Sequence, residues 1–422
     1  MAIPGVTTLI RDRLYTSTRQ DAPSGPRIVA IAKRDTADLT GGISDLDVVR
    51  ATNEKDVINA FGNGSDLHRA YLELAIGGAT QIYLVPLPSN TAFDYTEGDI
   101  TSGGTSIFDA AFVAAEASVP DIIIPWGRGS NSYDWESPAT PGNDREYGFH
   151  ANNSATISKN WSYKCGVKAK EISENTNPCV VVLGIKPYLT GVTEAMTPSQ
   201  VATHLGMSNS PQRITNLPDR DSSSMGDVGP YVVVIATEIK PVGYSSVDAT
   251  PADFGYSNGA AFLASSLSKL ASYSAIINKP IYNVQSIRYV PTRTQQTALS
   301  NSGVNSAIVN FNKIPVFGEG LTFGKSTSDY TRLTTKRIID EATNVIRQVC
   351  QRYIGEPSTI QTRNSMETAI TSGLRGMQIL GAILDSDFTV SYVPSQNKAI
   401  VDLVITPAFE LKNIEVQVAI NL

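Results

Sequence analysis

The sequence predicts a multidomain α/β and α+β protein. The expected parts are a small N-terminal α/β unit, a middle α/β domain built on a mainly parallel sheet, and a C-terminal α+β domain, with extended strand arms at both termini. Three observations carry this reading. The chain has 422 residues, and a single hydrophobic core rarely grows past about 250–300 residues. Between helical patterns lie unbroken Val/Ile runs, DIIIPW at 121–126, CVVVLGI at 179–185 and YVVVIAT at 231–237. Runs without alternation mark strands buried on both faces, hence a parallel sheet covered by helices. The last third changes character, with two long amphipathic patterns followed by alternating strands.

Residues 1–20 read as an extended arm in which Val6, Thr8 and Ile10 alternate with other positions before Arg11-Asp12-Arg13, and Ser24-Gly25-Pro26 breaks it. The small α/β unit is placed at 21–90. RIVAIAK (27–33) is a buried strand and LDVVRA (46–51) a second. Asn53 caps a helix whose first turn holds Glu54 and Asp56, acids that the helix dipole favours there. Another helix starts at Ser65, aligns Leu67, Ala70, Tyr71 and Leu74, and ends at Gly77-Gly78, glycine being common where a helix must turn left-handed. QIYLVPL (81–87) follows as a strand.

The middle domain is placed at 91–290, with IYNVQSIRYV (281–290) as its last strand. Its helices are expected at 106–117, 153–173, 197–206 and 257–275, the third opened by Thr197-Pro198. Polar, Gly/Pro-rich stretches at 127–152 and 207–230 read as surface loops.

The C-terminal domain spans 291–411. A helix over 334–355 aligns Ile338, Ile339, Ala342, Val345, Ile346, Val349, Cys350 and Tyr353 in one stripe, and Gly355 with Pro357 stops it. A second helix runs from 364 to 381, then strands over 387–393 and 399–406. Residues 412–422 form the C-terminal arm, in which Ile414, Val416, Val418, Ile420 and Leu422 share one face. Such an apolar strand must be paired, either within its own domain's sheet or by donation to a neighbouring chain. Lys336, Arg337, Arg347 and Arg352 lie off the apolar stripe. They form either a solvated face with Asp340 and Glu341 as partners or a docking face for an acidic partner.

Composition argues against several functions. The charged fraction is 18%, below the roughly 25% typical of globular domains, which suits a surface partly covered by neighbours. A net charge of −6 leaves no basic footprint for nucleic acid. Cys165, Cys179 and Cys350 are odd in number and scattered, so neither a disulfide framework nor a metal pattern is expected. No stretch reaches the length of a membrane span, and no secretory signal is read at the start, so folding in a cytoplasm is expected. Gly255-Tyr256-Ser257-Asn258-Gly259 matches G-x-S-x-G, the pattern of a hydrolase nucleophile elbow. That motif needs a strand before it and a histidine after it. SSVDATPADF is no strand, and His68, His150 and His204 all precede Ser257. No phosphate-binding loop, metal set or cofactor is expected.

Several segments resemble the contractile tail sheath proteins of myophages and related injection devices. They are Leu299-Ser300-Asn301-Ser302-Gly303-Val304-Asn305 within 277–311, VFGEGLTFGKSTSDYTRLTTKRIID at 316–340 (with Phe317 where the family has tryptophan), and 355–383 ending in Gly381-Ala382. Pro407 before the final strand IEVQVAINL and the opening Pro4-Gly5-Val6 complete the likeness, with Phe61-Gly62 and Gly77-Gly78 in the first unit. The resemblance implies a sheath domain at the C-terminus, a subtilisin-like middle sheet without a protease site, and a non-enzymatic, virion-tail subunit assembled in the host cytoplasm. It implies helical polymerisation around a tail tube, contraction that drives the tube through a target envelope, and contacts with tube, baseplate and terminator proteins. No nucleic acid and no membrane insertion are expected. It also implies inter-subunit strand pairing by Val6, Thr8 and Ile10 and by Ile414, Val416, Val418 and Ile420, with Lys336, Arg337, Arg347 and Arg352 as candidate tube-facing residues. The competing readings are a soluble α/β hydrolase using Ser257 and a different self-assembling shell protein.

Overall fold

The computed structural model describes residues 25–34, 43–94, 97–126, 156–185, 218–242, 259–287, 290–396, 398–408 and 410. The chain enters through strand β1 (Ile28–Lys33), β2 (Val49–Ala51), helices α1 (Glu54–Phe61) and α2 (Asp66–Gly77), and β3 (Ile82–Leu87). A small antiparallel meander follows, β4 (Thr91–Asp94), β5 (Asp99–Ser102) and β6 (Thr105–Ser106), and then α3 (Phe108–Ala117). Next come β7 (Ile122–Pro125), α4 (Trp161–Asn175), β8 (Val180–Ile185), β9 (Val232–Ala236), β10 (Ile239–Pro241) and α5 (Ala260–Lys269). The last part comprises β11 (Val284–Ile287), α6 (Arg293–Asn301), β12 (Val304–Asn305), β13 (Ala307–Val309), β14 (Pro315–Phe317), α7 (Leu333–Gln351), α8 (Ile360–Ile379), β15 (Ile383–Val393) and β16 (Lys398–Pro407).

One seven-stranded sheet organises the molecule, in the order β12-β9-β8-β7-β1-β3-β2. All neighbours are parallel except edge strand β2, which pairs antiparallel with β3. The Val/Ile runs occupy its centre because side chains point alternately to both faces and both faces are covered. In β1, Val29 and Ile31 join a core with Phe108, Phe112, Trp161, Cys165 and Leu299 from α3, α4 and α6. Ile28, Ala30 and Ala32 join a second core with Phe61, Leu67, Leu74 and Phe262 from α1, α2 and α5. The mixed α/β class is thus as expected.

The local signals act as their chemistry requires. Asn53 accepts a hydrogen bond from the Asp56 N–H, Ser65 from the His68 N–H, and Gly78 closes α2 at φ +88°. Other expectations need correction. The boundary at residue 90 does not separate two sheets, because β1 lies hydrogen-bonded between β3 and β7. Strand β12, α6, Phe317 and Leu333, expected in the C-terminal domain, belong to this sheet and its cores. Within the strand expected over 281–290 the structure gives β11, which pairs antiparallel with β10 outside the main sheet, while 288–289 lie outside the described residues. The loop expected over 207–230 is no simple surface excursion where it is described. Arg220 and Met225 are buried and Arg220 Nε donates to the Gly324 carbonyl at 2.8 Å, so polar composition concealed a partly buried segment. The helix at 197–206 and the loop at 127–152 lie outside the described residues.

Candidate functional site

The C-terminal unit is a third, separate core. Helix α7 directs Ile338 and Ala342 at Met366, Ile370, Leu374 and Met377 of α8. Gly373 permits the close approach, since a Cβ there would stand 2.7 Å from a Val345 methyl. Thr359 caps α8 by accepting from the Thr362 N–H, and Gly355 (φ +90°) and Gly381 (φ +72°) make the two turns. The β15–β16 hairpin lays Phe388, Val390, Tyr392, Val401, Leu403 and Ile405 over the helix pair. The Arg363 guanidinium stacks on the Tyr392 ring at 4.2 Å.

The basic residues of α7 mostly face the chain's own α/β body. The Lys336 side chain is only 4% exposed, pairs with Asp340 one turn on, and lies 4.4 Å from the Tyr231 ring centre. Burial raises the Asp340 pKa against the opposing pull of Lys336 and lifts the Tyr231 phenol to about 12. Arg337 donates to the carbonyls of Leu267 (3.0 Å), Leu270 (2.7 Å) and Ala271 (3.2 Å) at the end of α5, and burial pushes its pKa down to about 10. Arg347 donates to the carbonyls of Ser173 (2.8 Å) and Glu174 (3.1 Å) in the last turn of α4. Each guanidinium therefore adds a charged donor to carbonyls at or just past a helix C-terminus and sits at the negative end of its dipole. Arg352 alone of the four is exposed.

A polar clasp holds the other end of the unit. Arg332 Nη1 lies 3.1 Å from Glu319 and 3.2 Å from Glu410, and the Thr334 hydroxyl donates to Glu410 at 2.9 Å. Glu410 is thereby held at the N-terminal end of α7.

The hairpin itself is unfinished. Among the described residues β15 and β16 pair only with each other, leaving outward backbone groups along both edges, a template for a further strand. Its outer face exposes Asp385, Asp387, Thr389 and Ser391 from β15 and Asp402, Val404 and Thr406 from β16. No ion pair with a described residue neutralises these three aspartates. Their alternation was readable in the sequence, but nothing there showed the hairpin to be two-stranded.

The arm residues Val6, Thr8, Ile10, Ile414, Val416, Val418 and Ile420 lie outside the described residues, as do Ser257, His150 and His204. His68 is buried, 3.3 Å from Glu54, and burial lowers its pKa. Among the described residues no cluster of three or more metal-ligating side chains occurs, and no helix is long and apolar enough to cross a membrane.

Comparison with known proteins accords with this geometry. Residues 325–421 match the family model described as the phage tail sheath C-terminal domain. No curated protein matched the sequence. Among solved structures, the helical sheath of the anti-feeding prophage in its contracted state is similar at 13% identity and TM-score 0.60, covering 99% of both chains. The contracted sheath complex of the extracellular contractile injection system PVC gives 12% and 0.57, covering 99% of this chain and 98% of the other. A sheath tail protein from Listeria innocua gives 11% and 0.57, covering 92% and 93%. The fold is thus shared from end to end with sheath proteins.

Proposed function

From a C-terminal segment that matches the phage tail sheath domain and a fold shared along the whole chain with sheath subunits, we infer that this protein is a contractile tail sheath subunit. It polymerises helically around a tail tube and shortens to drive that tube through a target envelope. The observation that carries the reading is the end-to-end likeness to sheaths solved in the contracted state, joined to the match at 325–421. The six-strand parallel run with helices on both faces supports a subtilisin-like middle sheet used as scaffold.

The open hairpin supports strand exchange. The terminal segments, with Val6, Thr8 and Ile10 at one end and Ile414, Val416, Val418 and Ile420 at the other, would complete the two-stranded sheet of a neighbour and link subunits through backbone hydrogen bonds. Lys336, Arg337 and Arg347 are engaged within the chain, which leaves Arg352, at the C-terminal cap of α7, as the basic residue able to face a tube. Baseplate and terminator contacts, and assembly in a host cytoplasm before incorporation into the tail, belong to the same reading.

Negative-stain electron microscopy of the full chain, alone and with its tube protein, tests it. Hollow helically striated tubes are expected. Flat lattices or closed particles would refute the sheath in favour of another shell.

A further inference from the structure

We propose that Asn63-Gly64 is a deamidation site at which the His68 imidazole is the general base, closing the Asn63 side chain onto the Gly64 nitrogen and turning the asparagine into aspartate and isoaspartate. The inference stands apart from the sheath reading.

The site lies in the turn between α1 and α2. Asn63 is exposed there, between Gly62 and Gly64 at φ +92° and +78°. Glycine after asparagine brings no Cβ to shield its nitrogen, so the carboxamide carbon is open to attack from it. That nitrogen already touches a base: the Gly64 N–H donates to His68 Nδ1 at 3.0 Å, within the reach general-base catalysis requires. The other ring nitrogen, Nε2, lies 3.3 Å from Glu54 Oε1. The carboxylate therefore takes the ring proton on Nε2 and leaves the Nδ1 lone pair facing Gly64. Two charged groups act on the ring, Glu54 from α1 favouring its protonation and Arg69 from α2 opposing it. Burial outweighs Glu54 and lowers the pKa below the ordinary 6.5, so the imidazole is a neutral base near neutral pH. The frame is held on both sides, since Arg69 Nε donates to the Gly64 carbonyl at 3.1 Å and Ser65 Oγ to the Gly62 carbonyl at 3.0 Å.

In the reaction the Gly64 nitrogen bonds to Asn63 Cγ while its proton passes to His68 Nδ1. The Cγ–N bond of the carboxamide then breaks, and the leaving nitrogen takes that proton from His68 and departs as ammonia. Water opens the resulting cyclic imide at either carbonyl, giving aspartate or isoaspartate. One water enters, one ammonia leaves, and nothing is oxidised or reduced. The new carboxylate stands just ahead of Ser65, the N-cap of α2, where the helix dipole favours negative charge. A His68 that only braced the turn would hold Asn63 still and make this reaction slower than in an unfolded peptide. The rate therefore separates the two roles.

The test is incubation of the full chain over a range of pH, with peptide mass spectrometry to follow conversion at Asn63 and to separate aspartate from isoaspartate. Asn63 in the folded chain should react about tenfold faster or more than in a synthetic peptide of residues 59–67. Its rate should level off above the His68 pKa, whereas hydroxide-driven closure in the peptide keeps rising with pH. His68→Gln keeps an acceptor for the Gly64 N–H but no base, and should bring the rate down to that of the peptide or below. Glu54 is exposed, so Glu54→Gln tests the same relay without disturbing the core. It withdraws a group that favours ring protonation, and the plateau should begin at lower pH. Asn258-Gly259, the other Asn-Gly pair of the sequence, is the internal reference and should respond to neither variant. A folded chain that reacts no faster than the peptide, a profile with no plateau, a plateau unmoved by Glu54→Gln, or an equal loss at both pairs would each overturn the proposal.

Discussion

Replacing Arg337 by methionine keeps much of the side chain's reach and apolar stem while withdrawing the guanidinium from the carbonyls of Leu267, Leu270 and Ala271. A hydrogen bond from a charged donor contributes about 1.5–3 kcal/mol net, and a cation at a helix C-terminus about 0.3–1 kcal/mol. The three bonds share one guanidinium, and water can reach the outermost carbonyl, so they do not add; the expected loss is about 3 kcal/mol. With about 2.1 cal/mol/K of unfolding entropy per residue, a chain melting as one unit would lose about 3 °C in Tm. Differential scanning calorimetry reads this directly, and Arg352→Ala is the control, because an exposed side chain should cost no more than about 0.5 kcal/mol. If Arg337→Met and Arg352→Ala melt alike, the basic residues of α7 do not dock this helix onto the body, and the account of the junction fails.

Arg347→Ala should destabilise by about 1–3 kcal/mol, since it uncovers two carbonyls at the end of α4, and urea denaturation would register it. Gly373→Val should cost about 1–3 kcal/mol by forcing α7 and α8 apart, visible as faster proteolysis of the C-terminal unit. Trp161→Ala, which empties a fully buried site beside Phe93 and Phe108, should cost about 3–5 kcal/mol in the same denaturation assay. For Asp340, burial raises the folded-state pKa above the unperturbed 3.8, so the folded chain takes up a proton before the unfolded one as pH falls. The penalty of burying this carboxylate is therefore present above the raised pKa and fades as pH drops toward 3.8. Asp340→Asn should remove that part of the stability–pH curve, and an unchanged curve would reject the assignment.

The sequence made the strands of the main sheet legible because burial on both faces leaves an unmistakable composition, as in Val180–Ile185 and Val232–Ala236. Helix ends were equally readable where one side chain does the capping, as Asn53 and Ser65 do. Strand order was not. Nothing local to RIVAIAK says that β1 sits between β3 and β7, since that depends on pairing over long separations. The site was half legible. Amphipathicity located α7 and its off-stripe cations, but a charge lying off the apolar stripe reads as solvated whether it meets water or helix-end carbonyls. Arg332, Glu319 and Glu410 carried no signal, because their meeting is purely tertiary.

The position of α7 also gives the molecule two unlike rims. The residues it meets, Tyr231, the C-terminal turn of α4 and the end of α5, lie toward the rim where the parallel strands begin. Strands β1, β7 and β8 end at the opposite rim. The two rims are separated by the length of the parallel strands, so what happens at one does not touch the contacts of α7 at the other. A change in the sequence that follows β7 should therefore leave the α7 junction, and the thermal unfolding that reports on it, unaltered.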